Sequence, residues 1–156
     1  MGNDSIIGTW KLVSALVTPS LGGEPRNMLG GNPSGLLTYT GDGQMSAIIA
    51  SGGRQPLSTA DPIAAPVAER AEAFDTFAAY AGAYTFDGDR TTHHVEVAWL
   101  QNWVGTDQVR FVRLQGSRLT LSAPVSIGGE QMIAELTWER RTGKAADDGV
   151  RLPTSL

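Results

Sequence analysis

The sequence predicts a single-domain, all-β protein of about eight antiparallel strands with one helix near its middle. Three observations carry this. Short β-rich segments recur at close spacing along the chain. Glycine turns separate them, at Gly41-Asp42-Gly43, Asp87-Gly88-Asp89, Gly116-Ser117 and Gly128-Gly129. One Ala-rich stretch, Asp61–Gly82, breaks the alternation. Sandwich and barrel both fit this plan. A barrel removes exposed edges, and eight strands leave an interior that fits one small ligand.

The elements follow in order. Ile6–Thr18 alternates and reads as the first strand, with Gly8 giving room for a bend or a close backbone approach. Pro19–Pro33, with three prolines and four glycines, is a loop. Gly35–Thr40 and Gln44–Ala50 form a hairpin, because glycine supplies positive φ in the turn at little steric cost. Ser51–Pro62 is another loop. In Asp61–Gly82, Phe74, Phe77, Ala78 and Ala81 follow helical spacing; Pro66 suits the first turn and Gly82 the C-terminal stop. Such a helix caps or flanks the mouth of the fold. Ala83–Asp87 then meets Thr91–Leu100, Asp107–Gln115 meets Arg118–Ser122, and Glu130–Arg140 closes the fold. The domain is expected to span residues 1–141. Residues 142–156 are polar, lack periodicity and read as a flexible tail.

Composition excludes several classes. A net charge of −4 with dispersed basic residues gives no nucleic-acid footprint. The absence of cysteine excludes disulfides and thiolate zinc sites, and fits a reducing, cytoplasmic setting. No signal peptide and no membrane-length apolar run are visible. The Gly-rich loops match no P-loop or dinucleotide fingerprint, and no G-x-S-x-G occurs. His93 and His94 point to opposite faces of one strand, so they cannot share an ion without a bulge. No metal and no cofactor is expected.

Thr91–Arg113 is the most informative stretch. It holds both histidines, two of the four tryptophans and a dense set of polar side chains. Either His94 and Glu96 line the interior as an acid–base pair, or they form an outward polar edge with His93 inside among Val95, Val97 and Trp99. Gln108 and Arg110 share one face of the next strand with Val112 and Leu114. If that face points inward, Arg110 is a buried cation that needs Glu96 or an anionic ligand group as partner. Asn102 and Trp103 sit on the preceding turn, at a rim. Tyr39 and Ser46 lie on adjacent strands within reach of a shared cavity, and Tyr80, placed on the helix, can point into the mouth.

Gly8-Thr9-Trp10 resembles the Gly-x-Trp signature of lipocalins and related calycins. There the tryptophan packs across the closed end of the barrel under a cation from the last strand; Arg140 or Arg141 is the matching candidate. A narrower match covers residues 6–140. Gly8–Ser14, Gly35–Thr40, Asp42–Ala47, Tyr80–Tyr84, Thr92–Glu96 and Asn102–Thr106 resemble, in order, blocks of the bacterial and fungal lipocalin-like domain family. The resemblance implies an antiparallel, eight-stranded lipocalin-like barrel holding a small hydrophobic or amphipathic metabolite. Three functional readings follow. One is a cofactor-free isomerase, cyclase or lyase of biosynthesis, with His94 moving a proton, Glu96 orienting it and Arg110 holding a developing negative charge. The second is a non-catalytic carrier, and the third a structural module with a filled barrel. Tyr39, Ser46, Tyr80, Asn102, Trp103 and Gln108 are the expected ligand contacts. A homodimer is the oligomer left open.

Overall fold

The computed structural model describes residues 5–142, so the expected tail from 143 onward lies outside the described residues. The strands are β1 (Gly8–Pro19), β2 (Arg26–Asn27), β3 (Ser34–Tyr39), β4 (Gln44–Ala50), β5 (Phe77–Phe86), β6 (Arg90–Ala98), β7 (Asp107–Gln115), β8 (Arg118–Ile127) and β9 (Glu130–Arg140). One helix, α1 (Val67–Asp75), precedes β5, and a 3₁₀ turn occupies Gln101–Trp103. Every strand pairs antiparallel with its neighbour, and β1 pairs with both β3 and β9. The eight long strands therefore close into a barrel, with the two-residue β2 beside the upper part of β1.

Side chains alternate in and out along each strand, as the pleat requires. Trp10, Leu37, Tyr39, Met45, Tyr84, Leu119 and Trp138 fill one half of the interior. Toward the other end the inward positions shrink to Ala47, Ala123 and Ala134. Large residues pack one end shut; small ones leave space at the other. In β1 a bulge at Val13 shifts the inward set from Trp10 and Leu12 to Ala15 and Val17. The extra residue bends this long strand so that it can serve two partners.

The closed end is built from the two chain ends of the barrel. Trp10 pairs directly with Arg140. The Arg140 guanidinium carbon lies 4.2 Å from the Trp10 ring centre. Its Nη1 and Nη2 donate to the carbonyls of Ile7 and Ser5, both at 2.7 Å. The Trp10 indole N–H donates to the Ile6 carbonyl at 3.0 Å. A Cβ on Gly8 would sit 3.0 Å from Arg140 Nη1, so the glycine makes room for the cation. Of the two arginines considered, Arg140 takes the role. Arg140→Met is expected to lower unfolding free energy by about 3 kcal/mol, since it removes two charge-assisted hydrogen bonds and a cation–π contact. Urea denaturation measures it; a loss under about 0.5 kcal/mol, the level of a neutral surface change, would show that the cap contributes nothing.

The helix is shorter than expected. It ends at Asp75, and Phe77–Gly82 belongs to β5. The alanine content of Phe77-Ala78-Ala79-Tyr80-Ala81-Gly82 favours a helix locally. Two waiting strand edges outweigh it: residues 77–83 pair with β4, and 80–86 pair with β6. Tyr80 is therefore a strand residue, and Gly82 lies inside β5 rather than stopping a helix. No side chain of α1 is buried. Arg54 ties down its end, donating to Thr76 Oγ1 at 3.1 Å and to the Ala73 carbonyl at 3.2 Å.

Candidate functional site

The half of the barrel lined by small residues encloses a cavity of about 490 Å³. Its walls are mostly apolar: Leu37, Ala47, Ile49, Leu121, Ala123, Val125, Ala134, Leu136 and Trp138. Phe74, Asp75, Thr76 and Phe77, at the junction of α1 and β5, line it together with Met28 and Leu29. Trp99, Leu100 and Trp103 come from the β6–β7 connection. The polar contribution from the strands is concentrated in Tyr80, Gln108 and Arg110.

The structure brings together part of the expected site. Gln108 and Arg110 do share an inward face with Val112 and Leu114. Tyr80 and Trp103 line the cavity. Tyr39 points inward but is buried beneath it, 1% exposed. Four residues are elsewhere. Ser46 pairs with Thr38 on the outer face of the hairpin, out of step with inward Met45 and Ala47. Asn102 is exposed on the 3₁₀ turn. His94 is partly exposed, with Nδ1 2.7 Å from Asp107 Oδ1. Glu96 is exposed beside Val97, in an outer groove with Thr38, Gln44 and Ser46. The inward placement of His94 and Glu96 is therefore corrected: His93 is the interior histidine, at 0% exposure.

A bulge explains the arrangement. Gly82 pairs with Val95 and Ala81 with Val97, which leaves Glu96 with no opposite residue on β5. His93 and Val95 point in; beyond the bulge the phase flips, so Val97 is 62% exposed and Ala98 packs on the core. The apolar partners expected for His93 are thus only partly right. Gly82 permits the bulge, because a Cβ there would lie 1.9 Å from the His94 carbonyl oxygen.

His93 joins two tyrosines. Tyr39 Oη is 2.7 Å from Nε2, and Tyr80 Oη is 2.8 Å from Nδ1. One imidazole nitrogen donates and the other accepts, so each phenol has a partner on the ring. Thr91 donates its hydroxyl to the Thr85 carbonyl at 3.2 Å. Tyr39, His93 and Tyr80 thus form one buried hydrogen-bonded row, with the positive charge of Arg110 acting on Tyr80 and on His93. Burial, reinforced by the charges of Arg110 and His94, holds the His93 pKa down at about 3. Burial also raises both phenols above their usual range, so both stay protonated. The row of Tyr39, His93 and Tyr80 is therefore neutral.

Among the described residues, the hydrogen-bond partners of Arg110 are neutral. Nη1 donates to the Val109 carbonyl at 3.1 Å and Nη2 to Gln108 Oε1 at 3.5 Å. Its guanidinium carbon is 5.9 Å from the Trp103 ring centre. Trp103 in turn packs edge-on against Trp99 and Tyr80, at 5.1 and 5.2 Å. Glu96, the partner considered from sequence, lies outside the barrel. Sequence reasoning missed Thr91 and the alanines that make the space. Thr91 was legible as the inward residue one strand period before His93; the alanines carried no signal of their own.

A model of the lipocalin-like domain matches residues 7–141. The chain belongs to the lipocalin-like domain family. The closed barrel and the Trp10–Arg140 cap agree with that membership. A 4'-hydroxy-3'-methoxypropiophenone carrier protein of Aspergillus oryzae is 34% identical over 82 residues, covering 46% of this chain and 74% of the relative. Similar solved structures include two variants of the fluorescent protein UnaG. Their TM-scores are 0.40 and 0.37, with 13% and 14% identity, covering 89% and 88% of this chain and 98% and 96% of theirs. Among the described residues, no group of three or more potential metal-ligating side chains is gathered, and no helix is long and apolar enough to cross a membrane.

Proposed function

We propose that this lipocalin-like barrel binds one small, largely apolar molecule and acts as its carrier. The single observation behind this is the cavity: about 490 Å³, apolar on most sides, with polar groups gathered on one wall. That size and lining are typical of sites for small organic ligands. The relative named as a carrier of an aryl ketone supports the same reading. Catalysis is less well supported by the geometry. The acid–base pair His94 and Glu96 faces away from the cavity, and His93 has both ring nitrogens engaged and is held neutral.

The test uses prodan, a neutral aryl ketone whose emission shifts to the blue in an apolar site. One equivalent is expected to bind the purified protein. Ala134→Phe, which projects a ring into the space, is expected to weaken binding at least about tenfold, or 1.4 kcal/mol, with little change in melting temperature. A wild-type protein that leaves prodan emission unchanged would overturn the container reading.

A further inference from the structure

We propose that the ligand is a planar aromatic molecule carrying an acidic oxygen, a carboxylate or an acidic phenol, which Arg110 holds against the Trp103 side of the cavity. This rests on the container reading and sharpens it. Three observations lead there.

The first is an uncompensated charge. Arg110 projects from β7 into an apolar cavity, and no Asp or Glu of the described residues forms an ion pair with it. Asp75 is the one carboxylate lining the cavity, at the end of α1, and it too leaves Arg110 unpaired. Arg110 is partly buried, and a guanidinium partly stripped of water by apolar walls gains from an anion beside it. Its fork of donors matches a carboxylate or phenolate oxygen.

The second is the character of the groups it does meet. Arg110 Nη1 donates to the Val109 carbonyl at 3.1 Å and Nη2 to Gln108 Oε1 at 3.5 Å. Both partners accept from the cation and neither neutralises it. The arrangement orients a positive charge and leaves it unbalanced, which suits a ligand that brings the negative one.

The third is the shape of the wall beside it. Trp103, flanked edge-on by Trp99 and Tyr80, presents aromatic surface next to the guanidinium. A flat ring bearing an acidic oxygen can contact that surface while its oxygen reaches Arg110.

The experiment displaces prodan with 2-naphthoate, with its neutral isostere 2-naphthamide and with octanoate, on wild type, Arg110→Met and Arg110→Lys. Wild type is expected to bind naphthoate at least about tenfold tighter than naphthamide and tighter than octanoate. Arg110→Met should erase the naphthoate advantage while still binding naphthamide, which also shows that it is folded. Arg110→Lys should keep part of the advantage. 4-Nitrophenol separates the two acidic groups: a bound phenolate titrates at lower pH, read by its visible absorption. Equal binding of naphthoate and naphthamide while prodan still binds would overturn the anionic ligand and leave the container intact. Octanoate binding tighter than naphthoate would overturn the aromatic assignment. Failure of prodan and of every acid to bind would overturn both readings.

Discussion

Replacing His93 with phenylalanine is expected to destabilise the protein by about 3 kcal/mol, although the ring fills much the same space. The imidazole is the link between two buried phenols, with contacts of 2.7 and 2.8 Å. Without it both tyrosine hydroxyls lose their partner on the ring, and each orphaned buried group costs about 1–3 kcal/mol. His93→Gln, which can still donate and accept, should recover part of the loss. Chemical denaturation of the three proteins at neutral pH reads this directly. Equal stability of wild type and His93→Phe would mean that the chain of hydrogen bonds is a bystander.

The same residue sets a pH dependence. The native state keeps His93 neutral down to about pH 3, whereas the unfolded chain protonates it near its ordinary value of 6.5. Between those values the unfolded state holds the extra proton, so stability is full above about 6.5 and declines as pH falls toward 3. The slope from this one group reaches about 1.4 kcal/mol per pH unit. His93→Gln removes the group that titrates. Its stability profile between pH 6.5 and 4 should therefore be flatter than wild type by about one proton's worth; parallel profiles would contradict the neutral, buried state.

Gly82→Ala is expected to have an effect of similar size for a steric reason. The added Cβ would lie 1.9 Å from the His94 carbonyl oxygen and 3.0 Å from the Glu96 backbone nitrogen. Both are backbone atoms of the bulge, so neither can swing away as a side-chain tip would. The strand pair must separate locally, at a cost of about 3 kcal/mol or more. The disturbance reaches the cavity as well, because the bulge sets the phase of Ala98 and the start of the Trp99–Trp103 connection. Thermal melting and prodan titration of Gly82→Ala should therefore both shift. Melting like wild type would show that β5 and β6 can re-register without penalty.

These two positions also mark the limits of what could be read from the chain. The closed end was legible, because Gly8-Thr9-Trp10 and Arg140 lie in local patterns that the barrel simply joins. The inward face of β7 was legible too: Gln108, Arg110, Val112 and Leu114 keep a period of two without interruption. In β6 the same rule fails after Val95. Nothing near Glu96 announces a bulge; its cause sits on another strand, in the missing Cβ of Gly82. The alanines of β5 misled in the opposite way, since their local preference is helical and the pairing with β4 and β6 outweighs it.

The sequence by itself determined the number and order of the eight long strands, their turns, and the placing of Gln108 with Arg110 on one face; the short β2 at Arg26–Asn27 lies in what read as a loop. These depend on neighbours one or two residues away, through side-chain alternation and backbone freedom at glycine. Only the tertiary structure decided which histidine is inside, where α1 ends, and that Arg110 lines a cavity without an ion-pair partner among the described residues. Those outcomes depend on register between strands distant in the chain. A one-residue shift at the bulge exchanges the inner and outer faces, and local pattern carries no trace of where that shift falls.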